Sequence, residues 1–279
     1  AEPSRRDAMS DKSDMGATPS IRESDLALDD AALAELAALH HAASVESTQD
    51  WAFSTAAPSR GCAVFVADAQ NAGRGRRGRA WQTDPRGALA FTVLRRFNLP
   101  PMRLAPLGPA VGVAVARALA GLGLDAVRVK WPNDLVVGDA KLGGILIEAR
   151  SEAVAIGIGL NLDIAAMPDV DQPWTDLRRA GLLDVDDADA GGARSRVLGA
   201  ALRALLPALA GFEREGFAAF EADWTRFDAL AGRAVRVLAG DAAQEGIALG
   251  IDAGGGLRVR HADGERVHHA GEVSVRVAA

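Results

Sequence analysis

The chain has 279 residues, 49% hydrophobic and 24% charged, with a formal net charge of −6. That apolar mass suits one large domain plus a small one, and the acidic balance argues against a protein whose main partner is nucleic acid. The single cysteine, Cys62, excludes an internal disulfide framework; no secretory h-region and no apolar run of bilayer length are read from the sequence, so the expected home is the reducing cytoplasm, without a membrane partner.

Residues 1–28 are polar, lack apolar periodicity and are expected to form a disordered leader. They are too short and too polar for a helix-turn-helix, so DNA binding is not expected. From 29 to 43 the run DDAALAELAALHHAA has a helical apolar period with Asp29 or Asp30 as N-cap, and a helix is expected. Short apolar runs at 62–67 and 88–94 read as strands on either side of a Gly/Arg loop. A helix apolar on most sides, and therefore buried, is expected over 104–122. Strands follow at 127–131, stopping at Pro132, then at 142–148 and 154–160 around a polar turn at Ser151. Amphipathic helices are expected at 197–212 and 217–227, the first kinked at Pro207. After Leu230 short strands at 234–238, 246–251, 257–260 and 273–277 alternate with Gly/Asp turns, which reads as a small all-β barrel. The expected division is a leader at 1–28, a mixed α/β body at 29–229 and the β module at 230–279.

Lysine is scarce: Lys and Arg total 31, but lysine stands only at Lys12, Lys130 and Lys141. Two of the three fall in one apolar segment, which points to sites needing a compact ammonium rather than a guanidinium. The loop QNAGRGRRGRAW at 70–81 holds three glycines within six residues and four arginines, a composition suited to phosphate or carboxylate. Its G-x-G-x-x-G match fails as a dinucleotide motif, because no helix opens there and no acidic residue follows at the required distance. Read alone, such an Arg/Gly loop is more often a solvated surface loop than an anion cradle. KWPNDL at 130–135 is explained by turn chemistry alone. Lys141 enters an apolar strand and needs an anion to offset its burial, while Gly143-Gly144 suggests close approach to the backbone. GIGLNL at 157–162 leaves one strand face without side chains, for a flat ligand or for a packed helix.

Taken in order, Glu46–Gln49 (ESTQ), the 70–81 loop, KWPNDL, KLGGILIE at 141–148 and GIGLNL resemble the biotin–protein ligases over residues 40–279. The run GEVSVR ending at Arg276 is similar to that family's closing motif. The resemblance implies an α+β fold: a mixed β-sheet catalytic domain with helices, like class II aminoacyl-tRNA synthetases and lipoyl ligases, followed by a small SH3-like β-barrel. It implies that Ser47, Thr48, Gln49 and Gln70 meet biotin's ring system, with Arg74, Gly75, Arg76, Lys141 and Gly144 along the vitamin. Arg77, Arg79, Trp81, Asn133, Asn161 and Arg276 are implied at ATP, and Lys141, Arg76 and Asp134 as catalytic. Gln49 stands where Asn is common in the family.

The implied reaction joins biotin to ATP as biotinyl-5'-AMP and passes the biotinyl group to a lysine of a biotin carboxyl carrier domain. Two anions must meet, which asks for cations and amide dipoles. Mg²⁺ is expected on the ATP phosphates, with no firm protein ligand except possible proximity to Asp134. A homodimer is left open. The alternatives are a lipoate or octanoate ligase, which would want an apolar tunnel, and a nucleic-acid-binding module using the Arg loop, which would show steep salt dependence.

Overall fold

The computed structural model describes residues 21, 23–81, 87–165, 172–183, 190–239, 242–270 and 274–277. The leader residues 1–20 and the first part of the closing motif, 271–273, lie outside them. Ordered packing begins before the expected boundary at residue 29: Ile21 and Leu26 are buried, and Leu26 lies against Gly199, where an added Cβ would sit 2.0 Å from its carbonyl oxygen.

The helix expected over 29–43 is a correction. Asp29 does cap a helix, accepting from Ala32 N at 2.9 Å, but α1 is only Asp30–Glu35, and the chain continues as strand β1, Leu36–Val45. An Ala/Leu-rich run satisfies both periods, and parallel pairing with the next strand decides the outcome. Helix α2 (Thr48–Ser54) follows, with Ser47 as N-cap. Strands β2 (Cys62–Gln70) and β3 (Ala88–Arg96) flank the Gly/Arg loop. Helix α3 (Leu107–Gly121) is almost wholly buried. After it come β4 (Val127–Lys130), β5 (Asp134–Val137), β6 (Ala140–Arg150) and β7 (Ala153–Asn161). Strand β5 was not expected: its first residue belongs to the Pro-Asn-Asp turn, and its length leaves little periodic signal. Helix α4 (Ala190–Glu215) runs through Pro207, and α5 (Glu221–Phe227) closes the body.

The seven strands form one mixed sheet, ordered β1-β2-β3-β7-β6-β5-β4, with β1 parallel to β2 and the other pairs antiparallel. Successive residues point to opposite faces. On one face Ile145 and Ile147 meet α3, which approaches so closely that a Cβ on Gly112 would lie 2.7 Å from Val129. On the other face, β6 and β7 present Gly144, Gly157 and Gly159. The segments Pro101–Gly121 and Gly192–Phe227 are long and apolar enough to cross a bilayer, which corrects the expectation that no such run exists. In each, 61% of the relevant window is buried inside the fold, as core helices are.

The C-terminal module contains β8 (Ala234–Ala239), β9 (Ala242–Ile251), β10 (Leu257–His261), β11 (Gly264–His268) and β12 (Ser274–Val277). They make a five-stranded antiparallel sheet, ordered β11-β10-β9-β8-β12, around Val235, Val237, Ala248, Leu257, Val259 and Val275. Strand β11 was not expected, because its residues are mostly polar and exposed. The module is seated on the body by hydrogen bonds that include Trp131 Nε1 to Gly255 O at 2.9 Å, Arg233 to Asp139 at 2.7 Å and Arg76 to Ala270 O. Gly255 has φ +79° and touches Pro106, so both its conformation and its neighbour require glycine.

One buried ion cluster fixes the sheet to its helices. Arg95 donates to Glu35 at 2.7 Å and to Glu213 at 2.9 Å, beside Cys62. Burial pushes the Cys62 thiol up to about 11, which leaves it an inert core residue. Burial raises the Glu213 carboxyl, but the Asn98 amide and Arg95 outweigh it and hold the group below its usual value. Arg95→Leu strands two partly buried carboxylates and is expected to destabilise the fold by about 2–4 kcal/mol in urea titration at neutral pH. The loss should shrink as pH falls through the depressed Glu213 value, because a lowered carboxyl pKa stabilises only while the group is ionised in the folded state.

Candidate active site

Above the glycine-bearing face of β6 and β7 lies a cavity of about 440 Å³. Of the residues expected at the site, Ser47, Thr48, Gln49, Gln70, Arg74, Gly75, Arg76, Arg79, Trp81, Asn133, Asp134, Lys141, Gly144, Asn161 and Arg276 all line it. Arg77 does not: it sits at φ +58° in the turn Arg76–Gly78, and the structure places it outside the wall.

At one end the start of α2 brings small polar groups to the cavity. Ser47 Oγ accepts from Gln49 N at 3.2 Å, in the manner of an N-cap. A short relay runs from Thr92 Oγ1 to Thr48 Oγ1 at 2.9 Å and on to Gln70 Oε1 at 3.0 Å. Thr92 is fully buried inside β3, and nothing in the sequence singled it out. Gln49 Nε2 donates to Glu148 at 2.9 Å and to Leu146 O at 3.3 Å. Its Oε1 lies over Gly157, 2.0 Å from where a Cβ would stand. A side chain at 157 would therefore push the Gln49 amide off the strand.

At the other end the chain gathers cations. The Gly/Arg loop is a tight hairpin, with Gly75 N bonded to Arg79 O at 2.7 Å and Trp81 N to Gly73 O at 2.8 Å. It carries Arg76 inward, where Nη1 donates to Asn133 Oδ1 at 3.0 Å and Nη2 to Ala270 O of the small module. Asn133 in turn donates to Ile145 O at 2.9 Å. Both ends of its amide are thus engaged in holding Arg76 and β6. Lys141 Nζ is paired with Asp134 at 2.9 Å, and Lys130 is the cross-strand partner of Asp134. Burial lowers the Lys130 ammonium, with Asp134 opposing and Arg276 adding to the shift. Burial likewise lowers Arg76, helped by Arg77 and opposed by Asp134. These cations are crowded in a partly desolvated space around a single carboxylate of the wall, so an entering anion relieves a cost already present.

Trp81 lies between the two ends. Its ring covers Gly159, where a Cβ would be 2.5 Å from the indole, and Lys141 Nζ stands 5.7 Å from the ring centroid. Trp81 Nε1 is buried without a hydrogen-bond partner among the described residues. Asn161 Nδ2 donates to Thr175 O at 2.9 Å, and Lys141 N donates to Pro173 O at 2.9 Å. Segment 172–175 is thereby strapped along the cavity, adding Gln172 and Trp174 to its wall. Neither was expected, since their segment has no periodicity. Lys130 also lines the wall; its scarcity as a lysine was the available signal.

Residues 42–164 match the model of the biotin/lipoate A/B protein ligase family, and residues 231–276 that of the biotin protein ligase C-terminal domain. The chain is 32% identical to the bifunctional ligase/repressor BirA of Escherichia coli over 84% of this chain and 73% of that protein. It is also 32% identical to the biotin–[acetyl-CoA-carboxylase] ligase of Paracoccus denitrificans over 83% of this chain and 98% of that one. Among solved structures, the biotin protein ligase from Aquifex aeolicus in complex with biotin and ATP superposes with a TM-score of 0.74 at 27% identity, covering 87% of this chain and all 100% of that one.

Gly159→Ala is expected to displace the Trp81 indole into solvent without unfolding the sheet. A red-shifted tryptophan emission with unchanged circular dichroism would report it; an unaltered emission maximum would contradict the packing described.

Proposed function

The chain belongs to the biotin–protein ligase branch of the biotin/lipoate A/B protein ligase family, and from that premise we propose that its cavity activates biotin with ATP to biotinyl-5'-AMP and transfers the biotinyl group to a lysine of an acceptor protein. The observation that carries this reading is the division of one cavity into a hydroxyl- and amide-lined end and a cationic end. A ureido ring needs donors and acceptors together, which Ser47, Thr48, Gln49 and Gln70 offer. A lipoyl or octanoyl chain would want an apolar tunnel there instead.

In the first half-reaction a carboxylate oxygen of biotin forms a bond to the α-phosphorus, and the bond to the β-phosphate bridge breaks, with pyrophosphate leaving. Arg76 and Lys141 are assigned to the carboxylate and the pentavalent phosphorus, where charge builds. Arg79, Lys130 and Arg276 suit the remaining phosphates, and Trp81 the nucleoside. Asn133 and Asn161 act by holding Arg76 and segment 172–175 in place. Mg²⁺ is assigned to the nucleotide's phosphates, where it would withdraw charge, with Asp134 the nearby carboxylate of the cavity wall.

In the second half-reaction a neutral lysine amine attacks the carbonyl carbon, the carbon–oxygen bond to AMP breaks, and the surplus ammonium proton needs an acceptor. Asp134 lies at the cavity within 2.9 Å of Lys141 and is assigned that role. The acceptor is proposed to be a biotin carboxyl carrier domain, whose exposed lysine could reach this end.

Incubation with ATP, Mg²⁺, biotin and a carrier domain should add one biotinyl group to the carrier by intact mass; an unmodified carrier and no biotinyl-5'-AMP would overturn the reading. Lys141→Ala should lower ATP–pyrophosphate exchange by about 10²–10³ while the protein stays folded. Asp134→Asn should slow transfer from preformed adenylate more than it slows adenylate formation, measured by single-turnover quench.

A further inference from the structure

One carboxylate at the polar end has no part in the reaction just described, yet holds Gln49, which does, together with Arg74 of the loop. Glu148 stands on β6 with its side chain on the cavity face. The same oxygen, Oε2, accepts from Gln49 Nε2 at 2.9 Å and from Arg74 Nη2 at 3.0 Å. Arg74 also reaches Asp50 at 2.9 Å. Carboxylates and carbonyls only accept, so with Glu148 on one side and Leu146 O at 3.3 Å the amide of Gln49 has one permitted orientation: nitrogen toward β6, oxygen toward the cavity. Both donors of the amide are thereby engaged. What Gln49 shows to an entering molecule is Oε1, held down on Gly157. The longer side chain of Gln makes this reach across to β6.

We propose that Glu148 is a positioning residue that fixes Gln49 as a hydrogen-bond acceptor, so that the site selects a ring carrying an N–H at that point. This rests on the reading of Ser47–Gln49 as the biotin end. Without Glu148 only the longer 3.3 Å bond to Leu146 O holds the nitrogen toward β6, so the amide turns its nitrogen to the cavity more readily, where it would face a ureido N–H donor to donor. Arg74 stays paired with Asp50 in that case, and its exposed ion pairs contribute little by themselves, so the loop is a minor part of the effect.

Biotin affinity of the full chain, measured by isothermal titration, tests this. Glu148→Ala is expected to weaken biotin about tenfold, the size of one well-aligned hydrogen bond. Glu148→Gln, which keeps an acceptor oxygen at the same place, should restore most of the affinity. In a Gln49→Ala background, Glu148→Ala should cost nothing further, because it acts through the amide. In turnover assays KM for biotin should rise, with a smaller change in KM for ATP. Wild-type affinity in Glu148→Ala, or an undiminished penalty in the Gln49→Ala background, overturns the inference alone. Failure of the wild-type chain to bind biotin overturns it together with the reading on which it rests.

Discussion

Crowding of positive charge around one carboxylate is the constraint on which the site depends. Arg76 and Lys130 have their charged forms disfavoured by burial and by neighbouring cations, and Asp134 is the acid that partly offsets this. Such a cluster costs stability in the empty protein and strengthens attraction for an anion, since low dielectric magnifies both effects. The reaction needs no nucleophile from the chain, because biotin's carboxylate and the acceptor's amine are themselves the attacking groups. Bringing a carboxylate against a polyphosphate is an electrostatic problem before it is a covalent one, and the fold has already met the cost of assembling the opposing charge.

Holding those cations together takes both parts of the molecule. The loop hairpin aims Arg76, Asn133 receives it, and the Ala270 carbonyl of the small module accepts its second donor. Trp131, from the same KWPND turn, donates to Gly255 in that module. The turn between β4 and β5 is therefore clamped from both sides, and Arg276 enters the wall from the module itself. A module placed this way completes the site instead of merely following it.

The segments that line the cavity were legible as a set, through their order and the family resemblance, more than through any one of them, since alone each also fits a surface loop, a turn or a packed strand. Four arginines among closely spaced glycines, two of the three lysines in one segment, and glycines alternating on a strand are unusual enough to mark those segments, though not to assign them. The helix over 29–43 was misread because alanine and leucine fit a helical period, whereas pairing of β1 with β2 depends on residues more than twenty positions away. Strands β5 and β11 escaped for the opposite reason: four or five residues with little apolar alternation carry no local signal. Thr92, Gln172 and Trp174 were invisible for a third reason, since each matters only through what tertiary packing sets beside it.

Side-chain amides separate the two ends of the cavity in kind. Asn133 donates and accepts within the protein, and Asn161 uses its nitrogen on Thr175. At the cationic end, then, amides act as fasteners and charge is left to meet the ligand. At the polar end hydroxyls and amides face the cavity directly, and the charged groups Glu148, Asp50 and Arg74 stand behind or beside them. An ion can be recognised by fields that tolerate some misalignment, so the charge of lysine and arginine suffices at one end. A neutral ring is recognised only by donors and acceptors in fixed register, because a mismatched pair forfeits the bond and leaves a desolvated group behind. That difference accounts for the rigid relay from Thr92 through Thr48 to Gln70 at one end and the longer, paired cationic side chains at the other.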